Sequence, residues 1–352
     1  MDLNTKIQNF LDKEYNKNIT SKKISTYKIS DCGPPWVGAM LSHMVFCHNV
    51  AYQNNFSFQK SKDDFWRMIQ NDKFSDVFNS LIEVDDSNFD INNFLNANNT
   101  RFSYNVNRRL LDNFFREDVK MHLAKRSGGW RFFRNSHKNK HYSNYFYPKG
   151  LESLVNSNDK IILSDIWKSF LLKRIYKLTE KYENYVNEKL ENIPKLKNYA
   201  AIHIRRGDKV SGPIKESNFI ETVKYFETLE RSNYNFDSIF ISTDSIDALN
   251  ECITLYGKKY HLIYDSTEIR HDGFPLKVIN NSIDINEHGE TELITALKNF
   301  SILKNSNVLI GTPASWFFRI SMLLRPYTKI KDVLYSEDIH NIPGYPTSYY
   351  HC

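Results

Sequence analysis

Cysteine is scarce in this chain. There are four in 352 residues (Cys32, Cys47, Cys252, Cys352), none at C-x-x-C spacing, so zinc-site and thioredoxin-like chemistry lack their framework. Twelve glycines and ten prolines are too few for a fibrous or collagen-like chain. No apolar run approaches twenty residues and the mean hydropathy is −0.55, which argues against a membrane-spanning helix. Residues 1–26 place Ile7, Phe10 and Leu11 among lysines without an apolar h-region, so no secretory signal is expected. A block of basic residues is also missing. The 47 Lys and Arg are dispersed among 41 acids and leave a net charge of +6, with a pI near 8.8. A nucleic-acid tail would stand out as a block, whereas a dispersed surplus suits an anionic small molecule. No Asp-x-Asp triplet occurs, so a metal-bridged nucleotide diphosphate lacks its usual ligands and no metal site is expected. The sequons at Asn18 and Asn98 arise readily in an Asn-rich chain and do not demonstrate secretion.

What is present is ordinary for a soluble protein and rich in rings. Hydrophobic residues make up 41%, charged residues 25% and aromatics 14%, a balance that excludes wholesale disorder. The length is comfortable for two domains. Residues Gly38–Tyr52 carry Met40, Leu41, Met44, Val45 and Cys47 at helical spacing after the turn-forming Cys32-Gly33-Pro34-Pro35, a loop feeding a helix. Arg126–Lys149 is aromatic and basic and reads as a binding loop or a linker. Ser164–Ile193 reads as one long helix, its apolar positions three and four apart from Trp167 to Leu190, closed by Pro194.

Beyond that helix the pattern alternates. Tyr199–Ile204, Ser238–Ser242, His261–Tyr264 and Val308–Gly311 read as strands. Phe219–Arg231, Ile246–Tyr256, Thr291–Lys304 and Trp316–Leu324 read as helices. The succession predicts a parallel sheet with helices on both faces. The boundary between domains is expected within or after the long helix, giving 1–180 and 181–352.

In open parallel sheets ligands bind beyond the carboxyl ends of the strands. Three polar clusters fall there: His203-Ile204-Arg205-Arg206-Gly207-Asp208-Lys209, Ser242-Thr243-Asp244-Ser245 and Gly311-Thr312-Pro313-Ala314-Ser315-Trp316. Arg205 and Arg206 supply permanently charged forks suited to phosphate oxygens, and Lys209 adds a point charge. His203 alternates with Arg205 on one face of the strand end, and Asp208 is placed to pair with an arginine. Thr312 and Ser315 stand at a helix N-terminus, where anions are favoured. Taken singly, two arginines are often surface ion-pair partners, and Asp244 or Ser315 alone would serve as helix caps. An adhesion role for Arg206-Gly207-Asp208 is set aside because the tripeptide directly follows a buried strand. The three clusters together describe a diphosphate site without a P-loop.

These residues carry a resemblance. His203-Ile204-Arg205-Arg206-Gly207-Asp208-Lys209-Val210 resembles the His-x-Arg-Arg-x-Asp-Lys-Val motif of GDP-fucose-dependent α1,6-fucosyltransferases, which include the N-glycan core and rhizobial nodulation enzymes. Gly33, Gly38, Leu41, His43, Cys47 and Tyr52 resemble that family's nucleotide-side loop and helix. Asp159–Arg174 resembles its helix before the central strand, Ser242-Thr243-Asp244 its Ala-Thr-Asp, and Thr312 with Ser315 its Thr-x-x-Ser. Two departures stand out. Asn299 takes the place of the family's guanine-reading acid, and an amide cannot make that charged pair. Gly207 replaces a threonine of the core enzymes, and Arg-Arg-Gly-Asp with Ser315-Trp316 is also like the α1,2-fucosyltransferases. No SH3-like segment or anchor is seen, so a size close to the compact bacterial type is expected.

The resemblance implies an α/β chain of two Rossmann-like domains in the GT-B arrangement, with an acceptor side in 1–180 and nucleotide-sugar binding in 181–352. It implies inverting transfer of L-fucose from GDP-fucose to a glycan hydroxyl, with no cofactor beyond the donor substrate. The departing diphosphate then needs cationic groups most in the transition state. Arg205 is assigned to the β-phosphate, Arg206 to orientation or further neutralisation, and Lys209 to the acceptor or the base. Gly33, Gly38, His203, Asp244, Asn299, Thr312 and Ser315 are assigned to the donor. The base is a carboxylate, with Glu216 the first candidate and Asp208 and Asp244 the others. The loop Trp130–His141 is a candidate cover for the acceptor. Competing readings are an α1,2-fucosyltransferase, a nucleotide-sugar- or glycan-binding protein without catalysis, and an anion- or nucleic-acid-binding module, which would need a contiguous basic face. The expected partners are GDP-fucose and a glycan, with neither nucleic acid nor a membrane span. The sequence as it stands suggests the cytoplasm, with a trimmed luminal domain as the other reading.

Overall fold

The structure, a computed structural model, describes residues 1–18, 24–28, 37–53, 57–61, 74–78, 83–84, 100–103, 121–126, 129–134, 146–207, 210, 218–279 and 281–336. By packing, the chain divides into two units. One comprises Met1–Pro35, Ala39–Thr179 and Pro346–Cys352, the other Trp36–Gly38 and Glu180–Tyr345.

The first unit contains α1 (Leu3–Asn18), β1 (Ile24–Lys28), most of α2 (Val37–Gln53), β2 (Ser57–Ser61), α3 (Phe74–Val77), β3 (Glu83–Val84), β4 (Thr100–Ser103), β5 (Met121–Arg126), β6 (Gly129–Arg134), α4 (Leu151–Val155) and α5 (Lys160–Ile175). Strands β3-β2-β1-β4 form a parallel sheet in that order. Ile7, Leu11 and Tyr15 recur every four residues along α1 and are all buried. Tyr15 stacks on Tyr52 with centroids 5.5 Å apart and meets Phe170 edge-on at 5.6 Å, while Trp167 stacks on Phe170 at 5.3 Å. Several polar groups in this aromatic core are paired within it. Trp167 Nε1 donates to Asn49 Oδ1 at 2.9 Å, Tyr15 Oη and His48 Nε2 share a 2.6 Å bond, and the Arg174 guanidinium lies 4.3 Å above the Tyr15 ring. Burial, with the charge of Arg174, pushes His48 down to about 3, so its ring is neutral.

Two readings of this region are corrected. The long helix predicted over Ser164–Ile193 is two helices, α5 and α6 (Glu180–Glu191). α5 begins at Lys160, where the Asp159 carboxylate caps Ile161 N–H at 2.8 Å. The break after Tyr176 carries neither glycine nor proline. Tertiary backbone pairing makes it: Leu178 bridges Phe78, and Thr179 N–H donates to Val77 O at 2.9 Å. Within the basic segment read as a loop, Gly129–Arg134 is the strand β6, paired antiparallel with β5 from Arg126↔Gly129 to Met121↔Arg134. The alternation Trp130-Arg131-Phe132 is a period-two pattern that a reading by composition passes over.

The second unit follows the predicted α/β alternation. It runs α6, β7 (Tyr199–Ile204), α7 (Thr222–Arg231), β8 (Ser238–Thr243), α8 (Ile246–Tyr256), β9 (Leu262–Ile263), α9 (Phe274–Ile279), α10 (Ile285–Asn305), β10 (Val308–Gly311), α11 (Trp316–Leu323), a 3-10 turn (Tyr327–Asp332) and β11 (Val333–Tyr335). The sheet is wholly parallel in the order β11-β10-β7-β8-β9. Every residue of β7, β8 and β10 is buried, which is why these strands read as unbroken apolar runs. Ala200, Ile202 and Ile204 of β7 pack with Ile239, Ile241, Val308 and Ile310 against Tyr225, Phe226 and Leu229 of α7 and Ala248, Leu249 and Cys252 of α8. The intervening residues, His203 among them, face α10 and α11.

α8 has the predicted bounds, with Ser245 Oγ capping Ala248 N–H. α10 starts earlier than expected, at Ile285, because the Asp284 carboxylate accepts from Asn286 N–H at 2.8 Å. The edge strand β11 and the short α9 were not anticipated. Among the described residues no helix is long and apolar enough to cross a membrane.

Candidate functional site

The order of the second sheet reverses between β7 and β10. From β7 the chain winds out through β8 and β9, then returns to add β10 and β11 on the other side. Loops leaving the two central strands therefore diverge, and a crevice opens at their carboxyl ends. In register, His203 stands beside Ser242 on one side and Gly311 on the other. This places the ends of all three polar clusters side by side.

His203 is buried and held on both edges of its ring. Nε2 lies 3.2 Å from Ser315 Oγ and Nδ1 lies 3.4 Å from Ser242 Oγ. The ring stacks on Phe317 with centroids 4.9 Å apart. Burial, helped by the charge of Arg205, pushes it down to about 3. It is therefore a neutral imidazole, one nitrogen donating and the other accepting.

The two arginines are placed differently. Arg205 Nη1 donates to Asp244 Oδ2, with both side chains largely buried yet still reached by solvent. The other oxygen of Asp244 accepts the backbone N–H of Arg206 at 2.9 Å. One carboxylate thus clamps a guanidinium and the backbone that follows it. Arg206, one residue on, points to the opposite layer. Its Nη2 donates to Thr222 Oγ1 at 3.1 Å and Glu251 Oε2 at 3.3 Å, and its guanidinium lies 3.7 Å above the Phe219 ring.

The turn is closed by Gly207, whose φ is +60°. A Cβ there would lie 2.6 Å from the carbonyl carbon of Asp272 and 2.7 Å from Gly273 N. Only glycine fits such an approach of two backbones. The same loop is tied to the second cluster by Asp272 N–H, which donates to Asp244 O at 3.0 Å.

The third cluster caps α11. Ser315 Oγ accepts from Phe318 N–H at 3.4 Å, and Ser315 N–H donates to Thr312 O at 2.9 Å. The Thr312 hydroxyl shares a hydrogen bond with Tyr225 Oη of α7. Both hydroxyls therefore have protein partners, and each retains further hydrogen-bonding capacity. Gly38, at the start of α2, meets the same helix: a Cβ there would be 3.1 Å from Phe317 N.

Asn299, on α10, is 3% exposed. Its Nδ2 donates to Glu268 Oε1 at 3.2 Å, while its Oδ1 has no hydrogen-bond partner among the described residues. The next residue, Phe300, stacks on Phe317 at 4.4 Å, so rings lead from His203 through Phe317 to the Asn299 turn of the helix. Of the residues singled out from sequence, His203, Arg205, Asp244, Thr312 and Ser315 come together at the strand ends, with Gly38 on α11 and Asn299 beside the ring stack. Arg206 is turned toward α7 and α8. Gly33, Asp208, Lys209 and Glu216 lie outside the described residues, as does most of the loop Trp130–His141.

Sequence reasoning missed a fourth cluster, in the loop after β9. Lys298 Nζ donates to Asp265 Oδ2 and lies 3.3 Å from Glu268 Oε2, and Arg270 Nη2 is 3.7 Å from the same oxygen. Burial raises Glu268 against the pull of these two cations. Beside it, Glu292 Oε1 lies 3.1 Å from His271 Nε2. Burial, with the charges of Glu268 and Asp244, pushes Glu292 up to about 8. The strand-end rule that found the other clusters reaches Asp265-Ser266-Thr267-Glu268 as well. Among the described residues no group of three or more His, Cys, Asp or Glu is placed to hold a metal ion.

No family model and no curated protein matches the chain. Among solved structures it is similar to NodZ α-1,6-fucosyltransferase soaked with GDP-fucose, at 13% identity over 87% of this chain and 94% of that one, with a TM-score of 0.42. It is similar to fucosyltransferase NodZ from Bradyrhizobium at 13% identity, over 87% and 95% of the two chains, with a TM-score of 0.42. It is also similar to a mutant of Arabidopsis thaliana FUT1 in complex with GDP, at 10% identity over 92% and 76%, with a TM-score of 0.47. At these scores the reading of function rests on the residues themselves.

Proposed function

We propose that this chain is an inverting, metal-independent glycosyltransferase that moves L-fucose from GDP-fucose to a hydroxyl of a glycan acceptor, in the manner of the α1,6 enzymes its motif resembles. The observation that carries the reading is Arg205. Its guanidinium stands at the switch point of a parallel sheet, oriented by Asp244, and its charge is felt by a neutral buried histidine that in turn contacts Ser315, the cap of α11. A pyrophosphate leaving group gains negative charge as the glycosidic bond breaks, and a cation already held in place needs no reorganisation at that moment. Backbone N–H groups at the start of α11 add positive potential.

Within this reading, donor binding belongs to 181–352 and the acceptor side to 1–180, two Rossmann-like domains in a GT-B arrangement. The parallel sheets β3-β2-β1-β4 and β11-β10-β7-β8-β9 support that assignment. His203 and Asn299 contact the base, Thr312 and Ser315 the phosphates, and Arg206 supports the turn that presents Arg205. The base that activates the acceptor is Glu216 or Asp208. Asp244 is less suited, since both its oxygens are engaged with Arg205 and the Arg206 N–H. The reading does not require a membrane span.

The test is a donor and acceptor screen on the full chain in EDTA. Transfer from GDP-fucose is expected with chelator present, followed by linkage analysis of the product. Arg205→Ala is expected to lower kcat/KM at least 100-fold, the scale for a lost transition-state contact, with thermal unfolding unchanged within a few degrees. Activity abolished by EDTA would refute metal independence. Full activity of Arg205→Ala would refute the role given to Arg205. The amide at position 299 favours one second reading, a nucleotide-sugar-binding protein, which predicts GDP binding with no transfer to any acceptor.

A further inference from the structure

The amide of Asn299 is fixed in one orientation and half satisfied. Its NH2 group donates to Glu268 Oε1, and the far oxygen of that carboxylate faces two cations, Lys298 at 3.3 Å and Arg270 at 3.7 Å. A carboxylate so placed accepts, so the NH2 end of Asn299 must point at it. That leaves Oδ1 as a buried acceptor with no donor among the described residues. An unsatisfied buried carbonyl is costly enough to be rare in a folded interior, and it implies an N–H that arrives from elsewhere. The carbonyl stands one residue from Phe300, whose ring continues the stack Phe317–His203.

We infer that Asn299, oriented by Glu268, reads the base of the donor through a single carbonyl acceptor, so that the site accepts 6-oxopurine nucleoside diphosphates with or without a 2-amino group. This rests on the nucleotide reading above and goes beyond it by naming Glu268 as a positioning residue and by setting the base tolerance. One neutral acceptor takes one base N–H, the N1–H that guanine and hypoxanthine share. A carboxylate at the same place would accept from N1–H and the 2-amino group together and would distinguish the two bases. The pairing of amide and acid across α10 and the β9 loop therefore trades base discrimination for an acid held on the protein's own amide.

Calorimetry on the full chain with GDP and IDP tests this directly. The two are expected to bind within about threefold of each other. A second protein exchanges the partners, Glu268→Gln together with Asn299→Asp. It keeps a buried amide–carboxylate hydrogen bond but moves the carboxylate to the reading position. In that protein GDP is expected to bind about tenfold or more tightly than IDP. A tenfold preference for GDP in the unmodified chain would overturn the inference and leave the nucleotide reading standing. An exchanged protein that binds both but shows no new preference would overturn it too, since position 299 would then not touch the base. If the unmodified chain binds neither nucleotide, the nucleotide reading falls and takes the inference with it.

Discussion

The contact between Glu292 and His271 makes the stability of the second unit depend on pH in a direction that can be worked out. Their side chains meet at 3.1 Å, with 23% of the Glu292 side chain and 14% of that of His271 exposed. Glu292 is pushed up from 4.5 to about 8 by burial, then by Glu268 and Asp244. His271 is pushed down by burial, then by Lys277 and His288, with Asp272 opposing. Over most of the neutral range the pair therefore shares one proton and carries no net charge. The folded chain binds that proton more tightly than the unfolded chain, so its contribution is fully present below pH 4.5 and is lost as pH rises toward 8. At about 1.4 kcal/mol for each pH unit crossed, the whole window amounts to about 5 kcal/mol, most of it gone by pH 8. Glu292→Gln removes the titration and keeps a neutral donor toward His271. The two proteins should unfold at similar temperatures near pH 5. At pH 8 the variant should be ahead by about 10 °C, taking roughly 2–4 °C per kcal/mol for a unit of this size. Differential scanning calorimetry from pH 5 to 9 reads this gap. The His271 contribution, which weakens as pH falls below 6.5, is present in both proteins and largely cancels in the difference. A gap that is constant across the range, or that closes as pH rises, would refute the argument.

Two further substitutions probe the scaffold of the site. Gly207→Ala puts a Cβ against the backbone of Asp272 and Gly273 at a φ of +60°. Left-handed strain of about 1 kcal/mol plus the displaced loop should lower the unfolding temperature by about 5 °C or more. Because Asp272 N–H holds Asp244 O, GDP affinity should fall at least tenfold, and unchanged GDP binding would show that this loop does not position the clamp. Arg325, fully buried, donates to the carbonyls of Lys329, Leu303, Ser306 and Asn307 and to Ser306 Oγ at 2.7–3.2 Å. Arg325→Met strands those acceptors and should destabilise the chain by about 3–5 kcal/mol, read as an early denaturation midpoint; a shift under 1 kcal/mol would show that water replaces the guanidinium.

The strands were legible where burial on both faces makes the sequence monotonous. Tyr199–Ile204 and Val308–Gly311 have no polar interruption that would blur them, apart from His203, and His203 turns out to face the site. Helix bounds were legible where a side chain caps the end, as Ser245 does for α8. The break between α5 and α6 was not, because Leu178 and Thr179 leave the helix to pair with residues 77 and 78, a hundred positions away in sequence. No local signal encodes such a partner. The acids of the β9 loop were missed for a different reason. The strand before them was read, as His261–Tyr264, but in sequence Asp265 and Glu268 look like ordinary solvated loop acids, and it is the fold that brings Lys298 of α10 against them.

That missed loop changes the electrostatics of the residues that were found. Glu292 feels the charges of both Glu268 and Asp244, and three ionised carboxylates there would oppose the field of Arg205. Each is handled separately. Glu268 faces Lys298 and Arg270, Asp265 is held by Lys298 and Thr267, and Glu292 shares its proton with His271. Asp244 is paired with Arg205. On the proposed reading, an incoming diphosphate would compete with Asp244 for the guanidinium, and that carboxylate also holds the Arg206 N–H. The clamp can thus orient Arg205 without neutralising the region around it, which is what a group that must respond to charge appearing in a transition state requires. Arg206, spent on Thr222, Glu251 and Phe219, secures the turn from behind. The two adjacent arginines, just past the end of β7, are divided, Arg205 going to Asp244 and Arg206 into the framework.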